Sequence, residues 1–313
     1  MGKLAFVFPG QGAQTVGMGK AFYEGYALGK KLFDEADEAL GYSIRKLCFE
    51  GPAEELTLTA NTQPAILTVS VIAASLLKEQ GVVPEVAAGH SLGEYSALVM
   101  ADVLDFQDAV RLVHQRGAFM QEAVPVGEGA MAAVLGLERD KIVAICEEIS
   151  QTSPVQAVNF NCPGQTVIAG AKTGVEKATE ALSAAGAAKC VILPVSAPFH
   201  STLMAPAARK LAAELDKVEI RDAAFPVVSN YTGELESKAA EIKENLVKQA
   251  DHPVKWEDCV AAMVAFGATH FVEAGPGKTL CGFNKRIDRT LKNMNVENPV
   301  SLEKTLDTLK EVR

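Results

Sequence analysis

Apolar and polar positions follow two rhythms along the chain. Short runs at Leu4–Phe8, Val86–Ala88 and His270–Glu273, each with Gly or Pro close behind, predict buried strands. Longer stretches with a helical period, including Ala65–Leu77, Phe106–Met120, Met204–Leu215 and Ser237–Lys248, predict helices around them. Alternation of this kind predicts an α/β architecture with a mainly parallel sheet.

The middle of the chain keeps a different order. Ala130–Leu135 reads as a strand, Asp140–Ile149 as a helix, Val155–Asn159 and Thr166–Ala169 as strands, Thr173–Ala185 as a helix and Lys189–Val195 as a last strand. This βαββαβ order is the ferredoxin-like pattern. The expected division is therefore a small subdomain at 126–195 inserted into a larger discontinuous core formed by 1–125 and 196–313.

Composition narrows the function classes. Of 313 residues, 48% are hydrophobic and 22% charged, which excludes a disordered chain. A net charge of −9 argues against a nucleic-acid binder, which needs a basic face. The six cysteines contain no CxxC pair, neither a disulfide framework nor a zinc ribbon, and suit a reducing cytoplasm. Leu4–Phe8 is too short for a secretory signal. Ala65–Leu77 is too short to span a bilayer, is broken by Thr68, Ser70 and Ser75, and reads as a buried helix. Phe6 stands where a myristoylation signal needs Ser or Thr. The expectation is a soluble cytoplasmic protein without membrane contact.

Candidate chemistry begins at Gly89-His90-Ser91-Leu92-Gly93, which fits GxSxG. The pattern alone is weak, but it follows a strand-like run and opens a helix-like one, Leu92–Met100, as a nucleophile elbow requires. The glycines leave room for a strained turn, and the helix start offers N–H groups for an oxyanion. The competing reading makes Ser91 a helix N-cap, with Glu94 completing a capping box.

A serine nucleophile needs a base, and there are five histidines. His90 adjoins Ser91 and should diverge on a tight elbow; His114 falls on the polar side of its helix; His270 begins an apolar strand. His200 and His252 remain, both in loops beside prolines. His200, in Pro198-Phe199-His200-Ser201, is favoured, although spacing alone leaves the choice open. Arg116 lies inside the apolar stripe formed by Phe106, Ala109, Val113 and Met120 on the helical wheel. A permanently charged side chain there implies either an internal ion pair or a guanidinium held ready for a substrate carboxylate.

Two motifs fail on inspection. The third glycine of a dinucleotide fingerprint starting at Gly10 would fall on Thr15, and the first glycine of a phosphate loop ending at Gly277-Lys278-Thr279 would fall on Val272. No cluster has metal-ligand spacing, so neither metal nor cofactor is expected.

Three segments together resemble a known family. Phe8-Pro9-Gly10-Gln11-Gly12, Gly89-His90-Ser91-Leu92-Gly93-Glu94 and Ala197-Pro198-Phe199-His200-Ser201 are similar to the malonyl-CoA:acyl carrier protein transacylases of fatty-acid synthesis. Asn159-Phe160-Asn161, Pro163-Gly164-Gln165, Pro253-Val254 and Gly275-Pro276-Gly277 follow in the family's order. The resemblance runs nearly end to end and implies a hydrolase-like α/β core with a ferredoxin-like insert.

It also implies roles. Ser91 would be the nucleophile and His200 its base. Gln11 and Leu92 would supply the oxyanion N–H groups, and Arg116 would bind the malonyl carboxylate. Gln249 would orient the histidine, and Asn161, with Asn159, would belong to the substrate cleft; His252 has no implied role. The implied partners are malonyl-CoA and acyl carrier protein, and a monomer is the default. A free-standing acyltransferase of a polyketide synthase would share nearly every motif, whereas a serine thioesterase would place an acid between Ser and His. An acidic carrier would need a local basic surface, expected near Lys172, Lys189, Arg209 and Lys210.

Overall fold

The computed structural model describes residues 2–195 and 197–312; the expected boundary positions 1, 196 and 313 lie outside them. Among the described residues there are ten strands: β1 Lys3–Phe8, β2 Val86–Gly89, β3 Gly129–Leu135, β4 Val155–Cys162, β5 Gln165–Ala171, β6 Lys189–Ile192, β7 Val227–Val228, β8 Leu235–Glu236, β9 Ala268–Ala274 and β10 Lys292–Val296. They form a six-stranded sheet of order β10-β9-β1-β2-β7-β8 and a four-stranded sheet of order β4-β5-β3-β6.

The larger sheet is parallel from β10 to β7, and only β8 runs antiparallel. Its centre is β1, paired with β2 through Ala5↔Val86 and with β9 through Ala5↔Phe271. Leu4, Phe6 and Phe8 enter one core cluster, and Ala5 and Val7 enter the other. A strand buried on both faces has no polar positions to alternate, which explains its unbroken apolar run.

One face packs against the helix Thr59–Glu79, which starts earlier than the sequence predicts because Thr59, Thr62 and Gln63 are buried too. Two of the buried hydroxyls are satisfied locally: Thr62 donates to the Leu56 carbonyl at 2.6 Å and Thr68 to the Pro64 carbonyl at 2.8 Å. At 21 residues this helix is, contrary to the sequence expectation, long and apolar enough to cross a membrane. The same apolar stretch is 83% buried inside the protein, and it serves as the central core helix.

The smaller sheet is antiparallel throughout. The helices Arg139–Ser150 and Lys172–Ala184 cover one face through Ile142, Cys146, Val175, Ala178 and Leu182. Strand and helix order is the βαββαβ read from the sequence, with β6 ending at Ile192 rather than Val195. The other face, with Met131, Val167 and Ala169, packs on Met120, Phe199 and Met204. Two hydrogen bonds also cross to the larger sheet's side: Phe160 N to the Val254 carbonyl at 2.9 Å and Val254 N to the Val158 carbonyl at 2.8 Å.

The turn between β2 and the helix Leu92–Met100 is the tightest feature of the fold. A Cβ on Gly93 would lie 2.1 Å from the Phe8 carbonyl oxygen, and one on Gly89 would lie 1.8 Å from the Gly93 carbonyl carbon. Gly282, exposed in the helix Thr279–Ile287, has open space around it. Gly93→Ala is therefore expected to destabilise by about 1–3 kcal/mol or more, whereas Gly282→Ala stabilises by about 0.5–1 kcal/mol. Chemical denaturation of both variants checks this, and equal shifts of one sign would contradict it.

Candidate active site

Strand β2 delivers the chain to an elbow at Ser91, whose backbone is held at φ 51°, ψ −106°. Asn230 brackets the turn: its Oδ1 accepts from Ser91 N at 2.6 Å, and its Nδ2 donates to the Gly89 carbonyl at 2.7 Å. The capping-box reading fails here. Ser91 makes no side-chain cap bond; its Oγ instead meets His200 Nε2 at 2.7 Å.

His200 also adopts a positive φ, 62°, in the loop that follows the smaller sheet. Its Nδ1 lies 2.8 Å from the Gln249 backbone carbonyl. A carbonyl only accepts, so Nδ1 carries the hydrogen and Nε2 presents a lone pair to the serine hydroxyl. Burial, then the Arg116 charge, push the His200 pKa down to about 3, so the ring is neutral across the physiological range.

Arg116 is 1% exposed on the helix Phe106–Glu122. NH1 donates to Gln63 Oε1 at 2.9 Å, and NH2 to Gln249 Oε1 at 2.8 Å and Ser91 Oγ at 3.2 Å. The Tyr95 ring lies 5.4 Å from the guanidinium carbon. Among the described residues no carboxylate forms an ion pair with it within 4.0 Å. Of the two readings of a charge in an apolar stripe, the internal ion pair is the one the structure removes.

The remaining sequence-predicted residues are distributed as follows. Gln11, in the loop after β1, lines the same cavity as Ser91, Arg116 and His200, and Leu92 heads the helix behind the elbow. Gln249 contributes differently from expectation: its backbone meets His200 while its side chain meets Arg116 and, through Nε2, the Ser91 carbonyl at 2.9 Å. Asn161 is one step back, with its Oδ1 2.9 Å from His90 Nε2; Asn159 lines the cavity, and its buried Oδ1 has no hydrogen-bond partner among the described residues. His90 diverges from the Ser91 hydroxyl as expected and packs by Trp256, while still lining the cavity. His252 caps its helix, contacting the Lys248 carbonyl at 2.9 Å and Asp251 at 2.7 Å. His114 and His270 lie elsewhere, bonded to Ala60 and Thr269.

Sequence reasoning missed Gln63 and Asn230. Gln63 carried a faint signal, a polar side chain inside a long apolar helix; Asn230 sits in a loop and carried none.

A half-buried Ser91 thus meets a buried His200 beside Arg116 on the GxSxG elbow. A model described as acyl transferase domain covers residues 5–309. The chain belongs to the acyl transferase domain family. It is 50% identical to the malonyl CoA-acyl carrier protein transacylase of Bacillus subtilis strain 168 over 312 residues, covering 99% of this chain and 98% of that one. The acyl carrier protein S-malonyltransferase of Vibrio cholerae superposes with a TM-score of 0.95 at 46% identity, covering 97% of this chain and 99% of that one. A malonyl-transacylase solved with a type II PKS acyl-carrier protein superposes with a TM-score of 0.95 at 45% identity, covering 98% and 99%.

The acyl transferase site makes a pH prediction. His200 titrates below its ordinary 6.5, so the unfolded chain takes up its proton first. The stability this neutral ring contributes is full above 6.5 and is lost as pH falls from 6.5 toward the folded value. The acylation rate per folded chain should accordingly stay flat as pH drops through 6.5. Arg116→Met, assayed with acetyl-CoA, removes a positive neighbour and moves the acid limb upward. A native half-maximal rate at or above 6.5, or a limb that Arg116→Met leaves in place, would contradict this.

Proposed function

We propose that this protein moves the malonyl group from malonyl-CoA to the phosphopantetheine thiol of acyl carrier protein through a malonyl ester on Ser91. The observation that carries this reading is Arg116, a buried guanidinium with no carboxylate within 4.0 Å among the described residues, 3.2 Å from the Ser91 hydroxyl. An acyl group ending in a carboxylate supplies the missing charge, and a bidentate pair fixes its direction. An acetyl group leaves that charge unpaired, a penalty of about 1–3 kcal/mol.

The Ser91–His200 contact supports the following steps. His200 Nε2 takes the proton as Ser91 Oγ attacks the thioester carbon, and the backbone N–H groups of Gln11 and Leu92 hold the oxyanion. The C–S bond breaks, and the imidazolium returns its proton to the CoA sulfur. The carrier thiol then attacks the ester by the reverse path and restores the serine, a ping-pong sequence. The Gln249 carbonyl fills the orienting place that an acid holds in a triad, which supports a dyad over a thioesterase-type Ser–acid–His set.

The division into a core of 1–125 and 196–313 with a subdomain at 126–195 is our reading too, supported by the separate sheets and their separate apolar clusters. The malonyl-transacylase solved with a type II PKS acyl-carrier protein supports a second reading, in which the acceptor is a polyketide carrier. The carrier malonylated fastest separates the two. We place this chain in the cytoplasm as a monomer; six free cysteines support a reducing compartment.

Docking of an acidic carrier would use Lys172, Lys189 and Arg209, all exposed; Lys210 is exposed but engaged by Glu122 at 2.9 Å. Charge reversal at the first three is expected to slow transfer to the carrier while the ester still forms from malonyl-CoA. Equal carrier kinetics would remove this surface.

The central test is intact mass after brief incubation with malonyl-CoA or acetyl-CoA. A single malonyl adduct is expected on the native chain, none on Ser91→Ala, and a carrier protein clears it. Arg116→Ala should lower malonyl over acetyl labelling by about tenfold or more. CoA release without an adduct would mean a thioesterase, and equal acetyl labelling of the native chain would end the role of Arg116.

A further inference from the structure

The acid of GHSLGE, Glu94, is fully buried yet caps nothing at Ser91. Its Oε2 accepts from Asn230 N at 2.9 Å and from Gln249 Nε2 at 3.0 Å. Each of those residues in turn grips the site. Asn230 holds the Ser91 amide, and Gln249 holds both the Arg116 guanidinium and, through its backbone carbonyl, the His200 ring. One carboxyl oxygen thus stands behind the elbow, the histidine and the arginine, touching none of the three.

We propose that Glu94 is a positioning residue for acyl selection, its Oε2 fixing Gln249 so that Arg116 points at the acyl position. This rests on the function proposed above. Gln249 Nε2 needs an acceptor to set the direction of its amide plane; with the amide turned round, an NH₂ would face the guanidinium instead of an oxygen. Nε2 has two acceptors, the Ser91 carbonyl at 2.9 Å and Glu94 Oε2 at 3.0 Å, and Glu94 is the side-chain acceptor of the pair that together fix the sense of the amide.

The acceptor, rather than a negative charge, is what the role demands. Burial, then the Glu236 carboxylate, raise the Glu94 pKa to about 8, and its buried Oε1 has no hydrogen-bond partner among the described residues. A carboxamide keeps one oxygen for Asn230 and Gln249 and places its NH₂ where Oε1 lies. Glu94→Gln therefore preserves the orientation, whereas Glu94→Asp, one methylene shorter, and Glu94→Ala release it.

The test measures the ratio of malonyl to acetyl adduct formation by intact mass, normalised to the fraction of chains that can be labelled. A role limited to stability lowers that fraction and leaves the ratio alone. Glu94→Ala and Glu94→Asp are each expected to lower the ratio about tenfold, with Glu94→Gln restoring most of it. Adding Glu94→Ala to Gln249→Ala should change the ratio by less than about twofold, because the two act through one path. Should Glu94→Ala fail to fold, Glu94→Asp decides. Native ratios in Glu94→Asp, or full additivity with Gln249→Ala, would overturn the role of Glu94. Failure of the native chain to form any Ser91-dependent malonyl adduct would overturn the proposed function as well.

Discussion

The constraint on which the site depends is one charge that cannot be discharged. Arginine stays protonated in proteins, so a buried guanidinium must be solvated by whatever the fold places around it. Here the solvating atoms are the amide oxygens of Gln63 and Gln249, the Ser91 hydroxyl and the face of Tyr95. Neutral acceptors bind the charge without cancelling it. The residual positive field disfavours a second cation nearby, and it is the second cause, after burial, of the low His200 pKa. The same residue therefore serves two ends in the proposed chemistry: it waits for an anionic acyl group, and it keeps the base unprotonated until a proton arrives from Ser91.

Such an arrangement holds only if the backbone beneath it does not relax. Of the three non-glycine residues with positive φ among the described residues, two are Ser91 and His200. Each such conformation costs on the order of 1–3 kcal/mol and persists where its surroundings leave no alternative. For Ser91 the surroundings are Gly89 and Gly93, packed so closely that neither admits a Cβ, and Asn230 bridging the turn. The centre of the parallel sheet lies directly behind, with β1 and β2 buried on both faces. Rigidity of the core is what makes the elbow's strain sustainable.

This division explains what could be read from the sequence. The strands β1 and β2 were legible because a doubly buried strand shows as an uninterrupted apolar run, β9 by Phe271-Val272 shortly before Gly275, and the βαββαβ insert because its elements are short and cleanly separated. Ser91 and Arg116 were legible because each breaks a local rule, the serine by sitting between two glycines at a strand end and the arginine by sitting in an apolar stripe. The start of the helix Thr59–Glu79 was hidden because its first turns are polar and yet buried, their hydroxyls satisfied by backbone carbonyls that sequence cannot show. The helices between Lys20 and Thr57 and, from Trp256 onward, every element except β9 went unassigned, although Ala27–Leu40 and Thr279–Ile287 are as amphipathic as the helices that were read. The resemblance named Gln249 as the residue that orients His200, but the atom that does so leaves no mark in residue type. It is a backbone carbonyl, which any residue at position 249 would own, and it is the side-chain bonds to Arg116, the Ser91 carbonyl and Glu94 that require a glutamine there.

The placement of the smaller sheet then acquires a chemical reason. Its inner face brings Met131 to the cavity, and the segment after β6 adds Leu193 and Val195 beside Phe199. The proposed nucleophile and arginine come from the opposite side, on the helices that pack around the parallel sheet. An ester on Ser91 would thus have polar, fixed groups beneath it and an apolar wall above. Water entering from that side finds few partners, which slows hydrolysis, while a thiol on a long flexible arm needs no such solvation. A single rigid body could hold the dyad equally well. Pairing it with a second sheet that is apolar there apart from Asn159 would favour transfer over hydrolysis.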